Sequence, residues 1–107
     1  MKNIVWTRID DRLVHGQVMT LWVQQTSATE VVIVDDAVAK DAFIQMIMKS
    51  SMPARISLKV FGLADAVDYL NGEDDGKRVL ILVKTPGTLV SLTDAGIRLE
   101  SVNVGGI

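Results

Sequence analysis

The residues best equipped for chemistry lie in one stretch, Thr7-Arg8-Ile9-Asp10-Asp11-Arg12-Leu13-Val14-His15-Gly16-Gln17-Val18. It holds the only histidine of the chain, close to two arginines and two aspartates, with a glycine directly after it. A neutral imidazole is a nucleophile toward phosphorus, and nearby cations favour the neutral form because imidazolium would be repelled. Arg8 and Arg12 supply that bias and can hold phosphoryl oxygens in their guanidinium forks. Gly16 lets the backbone come close to a phosphate. Asp10 or Asp11 can accept the second imidazole N–H and set the tautomer, although a carboxylate also favours imidazolium. The plainer reading is a solvated loop with a surface or capping histidine.

The stretch joins a short apolar run, Ile4 to Ile9, to a segment of helical spacing. A strand-to-helix junction is where open α/β sheets gather ligands, since helix starts offer free N–H groups to anions. The run from Arg8 to Val18 resembles the active-site signature of the IIB components of the mannose/fructose/sorbose class of the bacterial phosphoenolpyruvate-dependent sugar phosphotransferase system. The likeness continues through Val32-Ile-Val-Asp-Asp-Ala-Val-Ala-Lys-Asp41, Lys84-Thr-Pro86 and Asn103-Val-Gly-Gly106, so it covers most of the chain.

The resemblance implies that His15 accepts a phosphoryl group from a phosphohistidine on a IIA domain. It then passes the group to a sugar held by membrane IIC and IID partners, with Nδ1 as the favoured ring atom. Arg8, Asp10 and Arg12 would serve the chemistry beside His15. Read from the residues themselves, Gly16, Gln17, Asp35, Lys84 and Thr85 form the candidate phosphate-binding set, Lys84 and Thr85 because they lie at the carboxyl end of a central strand, and neither a cofactor nor a metal is called for. The implied location is cytoplasmic, at the inner face of the membrane through partners. Relatives continue beyond the segment matching Asn103 to Ile107, so the chain reads as one IIB-like domain, 1–107, lacking a C-terminal part. A homodimer through the last strand's open edge is allowed by this reading, although no residue pattern supports it.

Composition narrows the alternatives. The 107 residues, 49% of them hydrophobic, suffice for one core. A net charge of -2 argues against a general nucleic-acid binder. The absence of cysteine removes disulfides and thiolate metal sites. No apolar run approaches a membrane span, and the first residues lack the apolar core of a signal peptide.

The elements that must position the site alternate strand and helix. Asn3 to Ile9 is the first strand, and Val14, Val18, Leu21 and Trp22 mark one helix face ended by Thr26-Ser27. Trp22 is expected in the core. Val31 to Val34 reads as an inner strand buried on both faces. It runs into Asp35-Asp36, which either cap the next helix or reach the phosphoryl site. That helix falls between Val38 and Ser50, with Ala39, Phe43, Met46 and Ile47 as its packed stripe and Pro53 beyond its end.

Ile56 to Phe61 alternates, and with Lys59 on a wet face it suggests a sheet edge. Leu63, Ala66, Val67 and Leu70 form a short helical stripe, with Asn71-Gly72 as a left-handed cap. Glu73 to Lys77 reads as solvated loop. Arg78 to Lys84 encloses another inner strand, and Thr85-Pro86 opens a helix that ends near Gly96. Val102 to Val104 is the fifth strand. Five strands joined by helices imply parallel pairing in a doubly wound α/β sheet with helices on both faces. The resemblance puts the first strand near its middle.

Two other functions fit such a fold. A receiver-like signalling module would need an acceptor aspartate after the third strand, which instead runs into Phe61-Gly62. A non-catalytic anion, nucleotide or sugar-phosphate binding domain would explain the arginines, yet the glycine-rich phosphate fingerprints are absent.

Overall fold

The computed structural model describes residues 1–14 and 18–105. Its strands are β1 (Asn3–Asp10), β2 (Glu30–Val34), β3 (Ser57–Phe61), β4 (Arg78–Val83) and β5 (Asn103–Gly105). The helices are α1 (Val18–Thr26), α2 (Asp36–Ala39), α3 (Ala42–Ser50), α4 (Leu63–Asn71) and α5 (Pro86–Asp94). One sheet runs in the order β3-β2-β4-β1-β5, and every pairing in it is parallel. This is the doubly wound α/β architecture expected from the alternation of elements.

The inner strands are those with unbroken apolar runs. Val31 to Val34 and Val79 to Val83 have no accessible surface, because helices cover both faces. Val31, Ile33, Leu80 and Leu82 pack with α1 and α3 through Met19, Trp22, Val23 and Met48. Val32, Val34, Val79, Ile81 and Val83 face α4 and α5 through Ala66, Leu70, Leu89 and Leu92. A bulge in β1 between Ile4 and Trp6 breaks its register with β4. It lets both Val5 and Trp6 pack on the α1 side, where strict alternation would send only one.

β4 occupies the centre of the sheet and β1 lies directly beside it, near the middle as the resemblance implies. Several other expectations are corrected. Leu21 points outward at 57% exposure, and the buried face of α1 is made by Met19, Trp22 and Val23. The single helix expected from Val38 to Ser50 is two, since Asp35 caps α2 and Asp41 caps α3 through side-chain bonds from the Val38 and Ile44 amides. The stripe assigned to its core is largely on the surface: Phe43 is 66%, Met46 61% and Ile47 49% exposed, and α3 buries Met48 instead. Gly72 ends α4 with φ -65, not a left-handed turn. Gly96, at φ +96, is the left-handed residue that follows α5.

The loop from Glu73 to Lys77 does more than meet solvent. Glu30, fully buried at the start of β2, accepts hydrogen bonds from Ser57 Oγ (3.0 Å), Lys77 Nζ (3.1 Å) and the Tyr69 hydroxyl. Lys2 Nζ lies 4.8 Å from the centre of the Tyr69 ring and 3.3 Å from Asp75 Oδ2. A buried carboxylate is tolerable when its oxygens are engaged in this way.

Burial, then the hydrogen bond and charge of Glu30, then the charge of Asp75 push the Tyr69 phenol well above its ordinary value. The bond to Glu30 raises the Lys77 ammonium as well. Both groups hold their protons more tightly when folded, so their stabilisation is complete below the unfolded values near pH 10 and is lost as pH climbs through the raised ones. Tyr69 is the one tyrosine in the sequence, which makes the effect directly readable. Absorbance at about 295 nm should show tyrosinate forming above the ordinary midpoint of about 10, together with unfolding, and Glu30→Gln should bring it down. A midpoint at the ordinary value in the folded protein would contradict this account.

Candidate functional site

The carboxyl edge of the sheet can be built from its register. Val34 lies beside Val83 and Phe61, Ile9 beside Val83, and Asp10 beside Gly105. The residues that leave the sheet therefore form a row: Gly62, Asp35, Lys84, Asp10 and Gly105. Three of the residues singled out from sequence, Asp35, Lys84 and Asp10, stand in that row on neighbouring strands.

Asp10 ends β1 and is completely buried, the position where an ionised carboxylate most needs cations. Its Oδ1 accepts the Arg12 backbone N–H at 3.0 Å and lies 3.3 Å from Arg12 Nε, while Oδ2 lies 3.7 Å from Arg8 Nε. The first contact is an Asx-type turn, reinforced by the bond from the Leu13 amide to the Asp10 carbonyl at 3.0 Å. Leu13 is held at φ +53, a left-handed conformation uncommon for a branched residue, and its side chain is buried. Burial of that leucine offsets the local strain and fixes how the chain leaves the strand.

The two arginines differ. Arg12 is 56% exposed and offers its guanidinium to solvent beside the strand end. Arg8 is only 19% exposed. Its Cζ lies 4.3 Å from the centre of the Trp22 ring and 5.7 Å from that of Trp6, within cation–π range of both. On its remaining side lies Gly105, where a Cβ would stand 1.8 Å from Arg8 Nη2. Sequence reasoning found the arginines and the aspartate, which are near neighbours in the chain, and placed Trp22 in the core. It did not find that Trp22 and Gly105 enclose Arg8, because both reach the arginine only through tertiary packing.

His15, Gly16 and Gln17 lie outside the described residues. Asp11 is exposed. Asp35 serves as the cap of α2, the simpler of its two readings, by accepting the Val38 amide at 2.9 Å. It lines a cleft of about 300 Å³ with Asp36, Leu63, Thr85, Thr88 and Ser91, between the starts of α2, α4 and α5. Asp36 Oδ1 ties two of those starts together by accepting the Leu63 amide at 2.8 Å. Thr85 is the N-cap residue of α5 without a side-chain capping bond, and Lys84 is exposed beside it. The structure thus brings Arg8, Asp10 and Arg12 together in one cluster and Asp35 with Thr85 in another, with Lys84 between them along the edge. Among the described residues no three His, Cys, Asp or Glu side chains gather as a metal site would require. No helix among them is long and apolar enough to cross a membrane.

Comparison with known proteins is consistent along the whole chain. The family model described as "PTS system sorbose subfamily IIB component" matches residues 4–107. The chain is 32% identical over 108 residues to the PTS system fructose-specific EIIB component of Bacillus subtilis, covering all of this chain and 66% of that protein. It is 36% identical over 101 residues to the PTS system mannose-specific EIIAB component of Escherichia coli, covering 94% of this chain and 31% of that protein. The crystal structure of PTS system N-acetylgalactosamine-specific IIB component 1 from Escherichia coli superposes with a TM-score of 0.92 at 34% identity, over 98% of this chain and 69% of that one. This chain spans just under two thirds of the length of the fructose-specific relative. With a family match over nearly all of its length, the chain belongs to the sorbose subfamily of IIB components of the phosphotransferase system.

Proposed function

We propose that this chain is a phosphoryl carrier in sugar uptake, acting as one domain in which His15 takes a phosphoryl group from a phosphohistidine on a IIA domain and hands it to a sugar. The observation that carries this reading is the Arg8–Asp10–Arg12 cluster at the end of β1, a few residues before the only histidine. In the first step the imidazole lone pair of His15 forms a P–N bond as the P–N bond to the donor imidazole breaks. In the second, a sugar hydroxyl forms a P–O bond as the His15 bond breaks, and the hydroxyl proton is released.

Phosphoryl transfer asks the protein mainly to place the reactants and to meet charge on the peripheral oxygens. Arg12, exposed yet anchored by Asp10 at two points, is suited to that task, and Arg8 assists from its enclosed position. Asp10 is the anchor of both. Gly16, Gln17, Lys84 and Thr85 complete the phosphate-binding set in this proposal, with Asp35 shaping the edge beside them. The donor is a IIA domain, a role supported by the mannose-specific relative whose name joins the A and B components in one chain. The acceptor sugar is held by membrane IIC and IID partners, and the carrier works at the cytoplasmic face.

The test is incubation with a phosphorylated IIA donor followed by mass spectrometry under alkaline conditions, which preserve phosphohistidine better than acyl phosphate. Phosphate on His15 is the expected result, and Arg12→Ala should slow its appearance on the order of a hundredfold, the loss typical of one transition-state donor. Because Arg12→Ala keeps the backbone amide bond to Asp10 and Arg8 remains beside that carboxylate, the variant should stay folded, with a loss in thermal midpoint smaller than that of Asp10→Ala. Failure of the parent protein to take phosphate from any IIA donor of this class would overturn the proposal.

A further inference from the structure

We propose that Trp22 and Gly105 form a seat for the Arg8 guanidinium and are positioning residues for the phosphoryl transfer. The inference rests on the phosphoryl-carrier reading and adds two residues to it. Arg8 lies on an inner strand, facing α1, where a long cation has little room. Its guanidinium is bounded by the Trp22 ring at 4.3 Å, by Trp6 at 5.7 Å and by the Asp10 carboxylate at 3.7 Å from Nε. Arg8 Nε is buried and makes no hydrogen bond among the described residues, so ring and carboxylate hold the group more by shape and charge than by directed bonds.

Gly105 closes the seat from β5. A Cβ at this position would meet Arg8 Nη2 at 1.8 Å, Cζ at 2.4 Å and Nε at 2.8 Å. Among the described glycines the left-handed backbones are those of Gly76 and Gly96, not that of Gly105. The absence of a side chain therefore serves space, not conformational freedom. The atoms in the way are the far end of a flexible side chain, so alanine at 105 would displace the arginine without breaking the strand. An arginine ordered before the phosphoryl group arrives loses less freedom on meeting it, and a shift of about 1 Å in such a group is enough to slow a reaction.

A packing role alone for Trp22 and Gly105 would show in stability, whereas a positioning role shows in rate and only through Arg8. We expect Gly105→Ala and Trp22→Leu to lower the rate of labelling by phosphorylated IIA at least about tenfold, with Trp22→Phe close to the parent because a ring face remains. In an Arg8→Lys background neither change should slow labelling further, since the group being seated is gone. The Arg8 Nε–H resonance is expected upfield in the parent, because the guanidinium lies 4.3 Å from the Trp22 ring centre, and should move toward its exposed value in Gly105→Ala, a readout that needs no activity. Labelling of Gly105→Ala within twofold of the parent, or an equal loss in the Arg8→Lys background, would overturn the seat while leaving the carrier function standing. A parent protein that shows the shifted resonance but takes no phosphate would overturn the carrier reading and, with it, the role given to the seat.

Discussion

His15→Ala is expected to lose labelling by a phosphorylated IIA donor altogether, a drop of roughly a thousandfold or more, as when a nucleophile is removed from a transfer site. The effect should be this complete because the sequence has no second histidine to take over. The arginines would remain and could still attract a phosphate, but attraction forms no bond. An acyl phosphate left on a carboxylate of the variant would disappear on alkaline treatment, which separates it from phosphohistidine. Circular dichroism matching the parent would show that the loss is chemical. Full labelling of His15→Ala would refute the assignment of the nucleophile.

The second large effect is expected at Asp10. Asp10→Ala removes the acceptor of the Arg12 amide and the shared counter-charge of both arginines in one step. Arg12 can turn to solvent, but Arg8, 19% exposed, is left partly buried without its carboxylate. The expected cost is about 2–4 kcal/mol of stability, between a lost charged hydrogen bond and a broken buried pair. Labelling should fall more than a hundredfold, beyond the Arg12→Ala effect, because both cations lose their placement. Asp10→Asn retains an acceptor for the Arg12 amide and should recover much of the stability while remaining slow. Chemical denaturation run beside labelling rates separates the two effects, and an Asp10→Ala protein of normal rate would contradict the anchoring role.

The fold was readable wherever one physical cause dominated. Unbroken β-branched and aliphatic runs at Val31–Val34 and Val79–Val83 occur because both faces are covered, and that burial is complete. Lys59 on a wet face marked β3 as an edge, which it is. Periodicity failed on α3, because an apolar stripe at helical spacing looks the same whether or not something packs on it. Phe43, Met46 and Ile47 carry the pattern without the burial.

The same limit applies to polar residues. Glu30 resembles the polar end of a loop in sequence, yet Ser57, Tyr69 and Lys77 converge on it from three later segments. At the candidate site, Arg8, Asp10 and Arg12 could be grouped because a single turn brings them together. Gly105 could not be tied to Arg8, since only the pairing of β1 with β5, which sets Gly105 beside Asp10, brings it against the end of the Arg8 side chain.

That pairing has a consequence for the order in which the molecule takes shape. β1 is made first, but its neighbours in the sheet are β4 and β5, drawn from the last third of the chain. Long loops must close before either contact rewards their formation, which makes such pairings late and slow. While the chain emerges from the ribosome, the first strand waits for both neighbours, and the side of the arginine pocket formed by Gly105 closes only once β5 has docked. The proposed seat of Arg8 is thereby tied to the docking of β5, and under the proposed function chains in which β5 has not yet docked would be poorer phosphoryl acceptors.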